Sequence, residues 1–532
     1  MNRAFISVFA ILPVALSMAF VSNAEANNCN PPVDASGETV AWAWGWNGFG
    51  QLGDGTTQDR DTPVPVQLSG VTAVAGGFAH NLGLTTDGKV WAWGWNSHGQ
   101  LGDGTTDQHD TPVQVQNLNA VIAVAAGGEQ SLALKSDGTV WAWGRNDVGQ
   151  LGDGTRTESH TPVRVHNLSG VTAIAAGQAH NLALENDGTV WAWGANDVGQ
   201  LGDGTTTPFQ PSPVQVHNFR EVTCIAAGDN HSLARRSDGT VWAWGGNGFG
   251  QLGDGIPGDS HTPMQVRDLG EVTAVAGGAE YSLALKSDGT VWGWGANDLG
   301  QLGDGTPTNF QPSPVQVISL TGVTAIAVSG EALHSLALRI TAPPFDGVVE
   351  AWGWNFSGQL GDGSDGTTTP SRPFPAQVAT VSAAEAIATG TRHSLAVGAR
   401  RAYLNVRDIL VHPDIHHRRL FNLRIDGVVM RANDNGGNTG FQSLSPGIHT
   451  VDETGGTGTP LGAFGVVIGG DCAADGAINL ALASVKICTI TNYDHEGGCV
   501  DKGGKRSICC EPGDGTQGCL VCSKPGQGCP GQ

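Results

Sequence analysis

Apolar and polar positions alternate in short runs along this chain, and the runs recur about every fifty residues. In one copy Pro162-Val-Arg-Val165 alternates, as a strand with one buried face does. Val171-Thr-Ala-Ile-Ala-Ala-Gly177 is small and β-branched, and His180-Asn-Leu-Ala-Leu184 alternates again. Asn186-Asp-Gly-Thr189 follows, where Asp-Gly supplies the positive φ angles of a two-residue hairpin turn. Val190-Trp-Ala-Trp-Gly194 is the fourth run, and its two Trp fall on one face because side chains two apart share a side. The pattern predicts four short antiparallel strands per unit, the blade of a propeller.

The Trp-bearing run begins at Trp42, Trp91, Trp141, Trp191, Trp242, Trp292 and, as Glu-Ala-Trp-Gly, at Glu350. The run before it begins at His80, Gln130, His180, His231, Tyr281, His334 and His393. Each set has seven members, but they are offset. Val40–Gly45 precedes any partner, and His393–Val397 is followed by none. Pairing these two orphans removes both free sheet edges. The expectation is an all-β, seven-bladed β-propeller over residues 40–398, closed by the N-terminal strand, with each blade formed across two sequence repeats.

The phrases Ala-Ala-Gly-x-x-His-Ser-Leu-Ala-Leu, Ser-Asp-Gly-Thr-Val-Trp-Ala-Trp-Gly and Asn-x-x-Gly-Gln-Leu-Gly resemble the repeats of the regulator of chromosome condensation family. The resemblance covers about two thirds of the chain. It implies a seven-bladed propeller that binds a protein through loops on one face. Members include a nuclear nucleotide-exchange factor for a small GTPase and a secreted bacterial inhibitor of β-lactamases.

After Arg401 the fifty-residue period stops and Trp vanishes. Residues 402–493 hold alternating runs and read as a small β-sandwich. Gly447-Ile-His-Thr-Val-Asp-Glu453 and Cys488-Thr-Ile-Thr-Asn492 resemble the prealbumin-like, B-type domains of bacterial surface adhesins. Some of those domains carry a Lys–Asn isopeptide bond; Glu453 and Asn492 match two of its roles, but Arg407 stands where Lys is needed, so no such bond is expected. Cys472 and Cys488 are expected to form a disulfide, a closure worth about 3 kcal/mol in the chain-entropy account. Residues 494–532 hold six Cys among Gly, Pro and Lys, and read as a disulfide-stapled, Cys-rich tail whose pairing the sequence leaves open.

Composition narrows the function. The formal net charge is −22, from 49 Asp and Glu against 27 Lys and Arg. Such a chain repels a phosphate backbone, so no nucleic-acid partner is expected. Arg3 precedes an apolar run, Ala4–Val21, broken by Pro13, and Ser22-Asn23-Ala24 offers small residues for cleavage. Residues 1–24 therefore read as a signal peptide and 25–39 as a linker, with no membrane span elsewhere. Of ten Cys, eight lie after residue 470, which suits an oxidising compartment. The expected location is secreted or extracellular, with cell surface or periplasm as variants.

No catalytic constellation emerges. The repeated His positions include Gln130 and Tyr281, so they share no ligand set and are expected to serve nearby backbone groups. The seven Asp of Leu-Gly-Asp-Gly (54, 103, 153, 203, 254, 304, 362) are one per repeat and read as turn residues, since calcium needs six or more oxygens together. His412, Asp414, His416 and His417 suit a transition metal by type but read as a polar loop. Cys519-x-x-Cys522 lacks the second pair of a zinc site. Neither metal nor cofactor is expected.

The residue after each Trp-Gly varies most: Trp46, Trp95, Arg145, Ala195, Gly246, Ala296 and Trp354. In a closed ring the three Trp belong to consecutive copies, and the same loops carry Phe49, His98 and Phe356. Aromatic clusters anchor protein and glycan contacts. Trp46, Phe49, Trp95, His98, Trp354 and Phe356 are thus the expected partner-binding residues. The reading is a secreted, monomeric, non-enzymatic recognition scaffold for a protein partner. The alternatives are a carbohydrate or cell-surface adhesin with Trp platforms, and a propeller enzyme with an unrecognised site.

Overall fold

The computed structural model describes residues 39–399 apart from 307, 341–346, 380 and 382–383, and beyond them the backbone of strands between 402 and 494 and at 509–510 and 520–521. Twenty-eight strands from Thr39 to Ala399 form seven four-stranded antiparallel sheets. No helix occurs among the described residues, so none is available to cross a membrane.

Blade 1 runs outward from the channel as Val71–Gly76, His80–Thr85, Val90–Gly94 and His109–Gln114. Blades 2 to 6 begin at Val121, Val171, Val222, Val272 and Val323. The polar strand of each sequence unit is the outer strand of the blade before it: Ser159–Arg164 pairs with Val140–Gly144. Each blade therefore spans two repeats.

Blade 7 joins the two ends of the ring. Ala384–Thr389 and His393–Ala399 supply its inner half, and Thr39–Gly45 and Arg60–Ser69 its outer half. The seam is in register from Thr39↔Ala399 to Gly45↔His393. Gly45 sits at φ +104° on this seam, where an added Cβ would lie 2.6 Å from the Arg392 carbonyl oxygen. Only glycine fits such an approach at positive φ.

The apolar core lies between neighbouring blades. Leu182, Leu184 and Ala192 of blade 3 pack with Ile225, Ala234 and Trp244 of blade 4. The second Trp of each of the six pairs (44, 93, 143, 193, 244, 294), and Trp352 at the same place in the seventh copy, is fully buried. Its indole N–H donates to the Gln carbonyl of the preceding blade's loop, as Trp143 does to Gln100 at 2.8 Å.

The repeated His positions do more than serve local backbone. They tie each blade to the next. His80 Nε2 meets Ser131 Oγ at 2.9 Å, His180 meets Ser232 at 3.0 Å, His231 meets Ser282 at 2.9 Å and His334 meets Ser394 at 2.8 Å. Gln130 and Tyr281 substitute without breaking the belt: Gln130 Nε2 donates to the Gly177 carbonyl at 3.0 Å, and Tyr281 lies 2.9 Å from Ser335 Oγ.

Beyond the propeller, eight strands from Ala402–Leu410 to Val485–Asp494 pair as two four-stranded sheets, with those two strands parallel to each other. The His412 cluster, the Cys472–Cys488 pairing, the isopeptide positions and the chemistry of the Cys-rich tail lie outside the described side chains, as do residues 1–38.

Candidate functional site

The loop after each Trp-Gly leads to the outer strand, and it is built as a rigid ledge. In blade 7 the Asn47 side-chain oxygen accepts from Leu52 N–H at 2.9 Å, and its amide donates to the Thr56 and Gln58 carbonyls, both at 3.0 Å. Gln51 Oε1 accepts from Phe49 N–H at 2.9 Å. Asn96 with Gln100, and Asn355 with Gln359, repeat these bonds. These Asn and Gln side chains are buried. The loops are fixed by both ends of each Asn amide and by the Gln side-chain oxygens, while Nε2 of Gln51, Gln100 and Gln359 has no partner among the described residues. The Asp of Leu-Gly-Asp-Gly closes the same turn: Asp54 Oδ1 accepts from Thr56 N–H at 2.9 Å, and Arg60 pairs with Oδ2 at 3.0 Å.

On this framework Trp46, Trp95, Arg145 and Trp354 are half-buried beside the short Gly-x-x-His loops, while Ala195, Gly246 and Ala296 at the same position are buried. Backbone bonds hold the two together: Trp46 N–H donates to the Arg392 carbonyl, Trp95 N–H to that of Ala79, and Trp354 N–H to that of Leu333, at 2.9, 2.9 and 3.0 Å.

The aromatic residues expected from the sequence converge on this face. Trp46 and Phe49 lie edge to face at 5.4 Å. Phe49 stacks on Trp95 at 5.6 Å, and Trp95 meets His98 at 6.1 Å. Trp354 and Phe356 stack at 6.2 Å as a separate pair. No ring contact joins the two groups; Arg392 does. Its guanidinium carbon lies 5.6 Å from the Trp46 ring centre and 5.0 Å from that of Trp354. Phe78 completes the larger group, touching Trp46 at 6.4 Å and Trp95 at 5.8 Å. Sequence reading missed both Arg392 and Phe78. The signal was available: the Gly-x-x-His loops hold small, polar or acidic residues at the position of Phe78 in other blades, as at Gly128, Gln178, Asp229 and Thr391.

The arc runs across blades 6, 7 and 1 and stops at blade 2. There Arg145 replaces Trp and is engaged by Glu129 and Asp147, each at 2.7 Å. His98 bonds Glu158 at 3.0 Å. The remaining rim is acidic. Asp229 is pushed up to about 7 by burial, with Glu331 and Glu280 adding repulsion. Glu331 and Glu280 are also raised, chiefly by burial. The channel behind them is narrow and lined by Ala, Val and Ile of the inner strands. Among the described residues no group of three or more His, Cys, Asp or Glu is arranged to hold a metal ion.

The fold has close relatives in shape. Prp20p from Saccharomyces cerevisiae, described with its binding properties to Gsp1p and histones, matches at TM-score 0.61 and 22% identity, over 70% of this chain and 93% of that one. Yeast RCC1 (Prp20) with Kap60 matches at 0.62 and 22%, over 74% and 96%. Human WBSCR16 matches at 0.59 and 24%, over 68% and 99%. At these identities the likeness is one of fold. Models of the regulator of chromosome condensation (RCC1) repeat match residues 40–84, 87–134 and 71–100. The RCC1-like domain model matches residues 118–396, more than half of the sequence, and the chain belongs to that family of seven-bladed propellers.

Proposed function

We propose that this protein is a secreted, non-enzymatic recognition scaffold that holds a protein partner on its aromatic face. The observation that carries the reading is the continuous run Phe356–Trp354–Arg392–Trp46–Phe49–Trp95, set on loops pinned from within by the buried Asn47, Asn96 and Asn355. Trp and Arg are the side chains that dominate protein interfaces, and a rigid platform loses little entropy on binding. The fold relative Prp20p is described with binding to Gsp1p and histones, and yeast RCC1 with Kap60. All three are protein partners.

Secretion is supported by the apolar run Ala4–Val21 with its small-residue flank and by Cys224, which is disulfide-bonded. The prealbumin-like region and the Cys-rich tail serve as spacer or attachment modules in this reading. The mature chain acts as a monomer, whose exposed aromatics await a different partner.

The test is affinity capture from the culture that secretes the protein, with the wild type beside a W46A/W95A/W354A variant. A protein captured by the first and lost with the second is the expected result. Retained capture sinks the aromatic face as the binding surface. A glycan-array signal lost in the variant, with no captured protein, moves the assignment to carbohydrate.

A further inference from the structure

Arg392 is a cation without a carboxylate, in a chain rich in carboxylates. Of the other arginines near this face, Arg60 pairs with Asp54 at 3.0 Å, Arg145 with Glu129 at 2.7 Å and Arg372 with Asp362 at 2.6 Å, while Arg156 lies over the Phe209 ring and donates to the Asp147 carbonyl. Among the described residues no carboxylate lies within ion-pair distance of Arg392, and its guanidinium contacts two indoles instead. Glu331 sits on the same rim, but Thr391 Oγ1 donates to it at 3.0 Å. Ring contacts engage the faces of a guanidinium and leave its five N–H donors, which lie in its plane. The residue is exposed, so those donors are open to a partner.

Position is fixed as well as charge. The Arg392 carbonyl accepts from Trp46 N–H at 2.9 Å, which fixes its main chain, and the two indole contacts set the guanidinium between the two aromatic groups. An arginine held in place and stripped of competing anions is suited to bidentate capture of a carboxylate. The net charge of −22 opposes an acidic partner only at a distance. At physiological ionic strength the screening length is about 8 Å, so local pairing decides the contact.

We propose that Arg392 receives an Asp or Glu side chain of the protein partner, with a neighbouring apolar side chain of that partner laid on Trp46, Phe49 and Trp95. This deepens the protein-binding reading above and rests on it. The occupant is an acidic residue flanked by an aromatic or aliphatic one.

The experiment is selection of displayed random dodecapeptides on the full mature protein, in parallel with R392Q and R392K. Wild type is expected to enrich peptides with Asp or Glu beside an apolar residue. R392Q is expected to bind those peptides at least about tenfold more weakly, with unchanged thermal stability because the side chain is exposed. R392K recovers part of the affinity, since an ammonium cannot form the planar fork. Selected peptides without acidic residues, no selected peptides at all, or equal affinity in R392Q overturn the proposal. So does Arg392-dependent binding of sialylated or uronic-acid glycans in place of acidic peptides. Failure here is separable from failure of the broader reading. If culture capture needs the three Trp but not Arg392, the aromatic face stands and the carboxylate assignment falls.

Discussion

His393 Nε2 lies 2.7 Å from Asn81 Oδ1, a hydrogen bond across 312 positions of sequence that locks blade 7 to blade 1. Asn81 Nδ2 donates to the Gln51 carbonyl at 2.6 Å, so its oxygen is free to accept and His393 must donate. The serines of other blades show the same logic. Ser131 Oγ gives its proton to the Gln100 carbonyl at 2.8 Å, leaving Oγ to accept from His80 Nε2–H. Every such histidine is thus a neutral donor at Nε2, with Nδ1 buried and unbonded.

Removing one link of this belt strands its partner. His393→Ala leaves Asn81 Oδ1 buried without a donor, and the expected loss is about 1–3 kcal/mol. His393→Gln is expected to lose less, because Gln130 fills the same role in blade 2 through Nε2 to the Gly177 carbonyl and Asn181. Urea unfolding of both variants measures the difference. Equal losses would mean that side-chain volume, not the hydrogen bond, is what the position supplies.

The belt also fixes the direction of pH dependence. Burial holds His80, His231, His334 and His393 down to about 3 and His180 to about 4. In the unfolded chain these groups titrate near 6.5. Below that pH the unfolded state binds more protons, so stability is full above 6.5 and falls as pH drops toward the folded values. Each histidine contributes about 1.4 kcal/mol per pH unit in that window. Asp229, raised to about 7, acts the other way, as do Glu331 and Glu280, because the folded state takes up their protons first. Three opposing groups do not reverse five. The urea midpoint is expected to fall between pH 6.5 and 5, and a flat or rising midpoint would contradict the neutral belt.

Two tryptophans two residues apart separate fold from function. Trp93 is fully buried and bonded to the Gln51 carbonyl at 2.9 Å. Trp93→Ala is expected to cost about 3–5 kcal/mol. Trp95 is half-buried on the aromatic face. Trp95→Ala is expected to cost under about 1 kcal/mol and to weaken partner capture. Thermal melting beside capture checks both, and a Trp95→Ala variant that melts as early as Trp93→Ala would make Trp95 a core residue.

The blades and their closure were legible because period, turn chemistry and strand count are local properties of the chain. Trp46, Trp95 and Trp354 were legible because aligned repeats expose whatever differs. Arg392 was not, since its meaning depends on lying between two indoles that the sequence puts about forty residues upstream in one case and far away at the other terminus in the other. Phe78 could have been found by comparing the Gly-x-x-His loops position by position. The histidine belt was misjudged because each partner sits on the next blade, fifty-one positions on for His80 and Ser131. Sequence alternation reports which side is buried, not which neighbour faces it.

The seam in blade 7 is held by hydrogen bonds and apolar packing but by no connecting hairpin, and this makes it more vulnerable than the same geometry elsewhere. At Gly45 an added Cβ meets the Arg392 carbonyl oxygen at 2.6 Å and His393 Cα at 2.8 Å. At Gly245, φ +101°, it meets the Asn230 carbonyl oxygen at 2.6 Å and His231 Cα at 2.9 Å. The local clash is the same, but His231–Arg236 and Val241–Gly245 are joined by a tight hairpin and cannot separate. Thr39–Gly45 has no such tether to His393–Ala399. Gly45→Val is therefore expected to release the N-terminal strand and expose two unpaired edges, which pair with other copies of the chain. Gly245→Val is expected to lower the melting temperature while the protein stays monomeric. Light scattering at equal fractional stability distinguishes the two, and identical association in both variants would show that strain, not an opened ring, drives it.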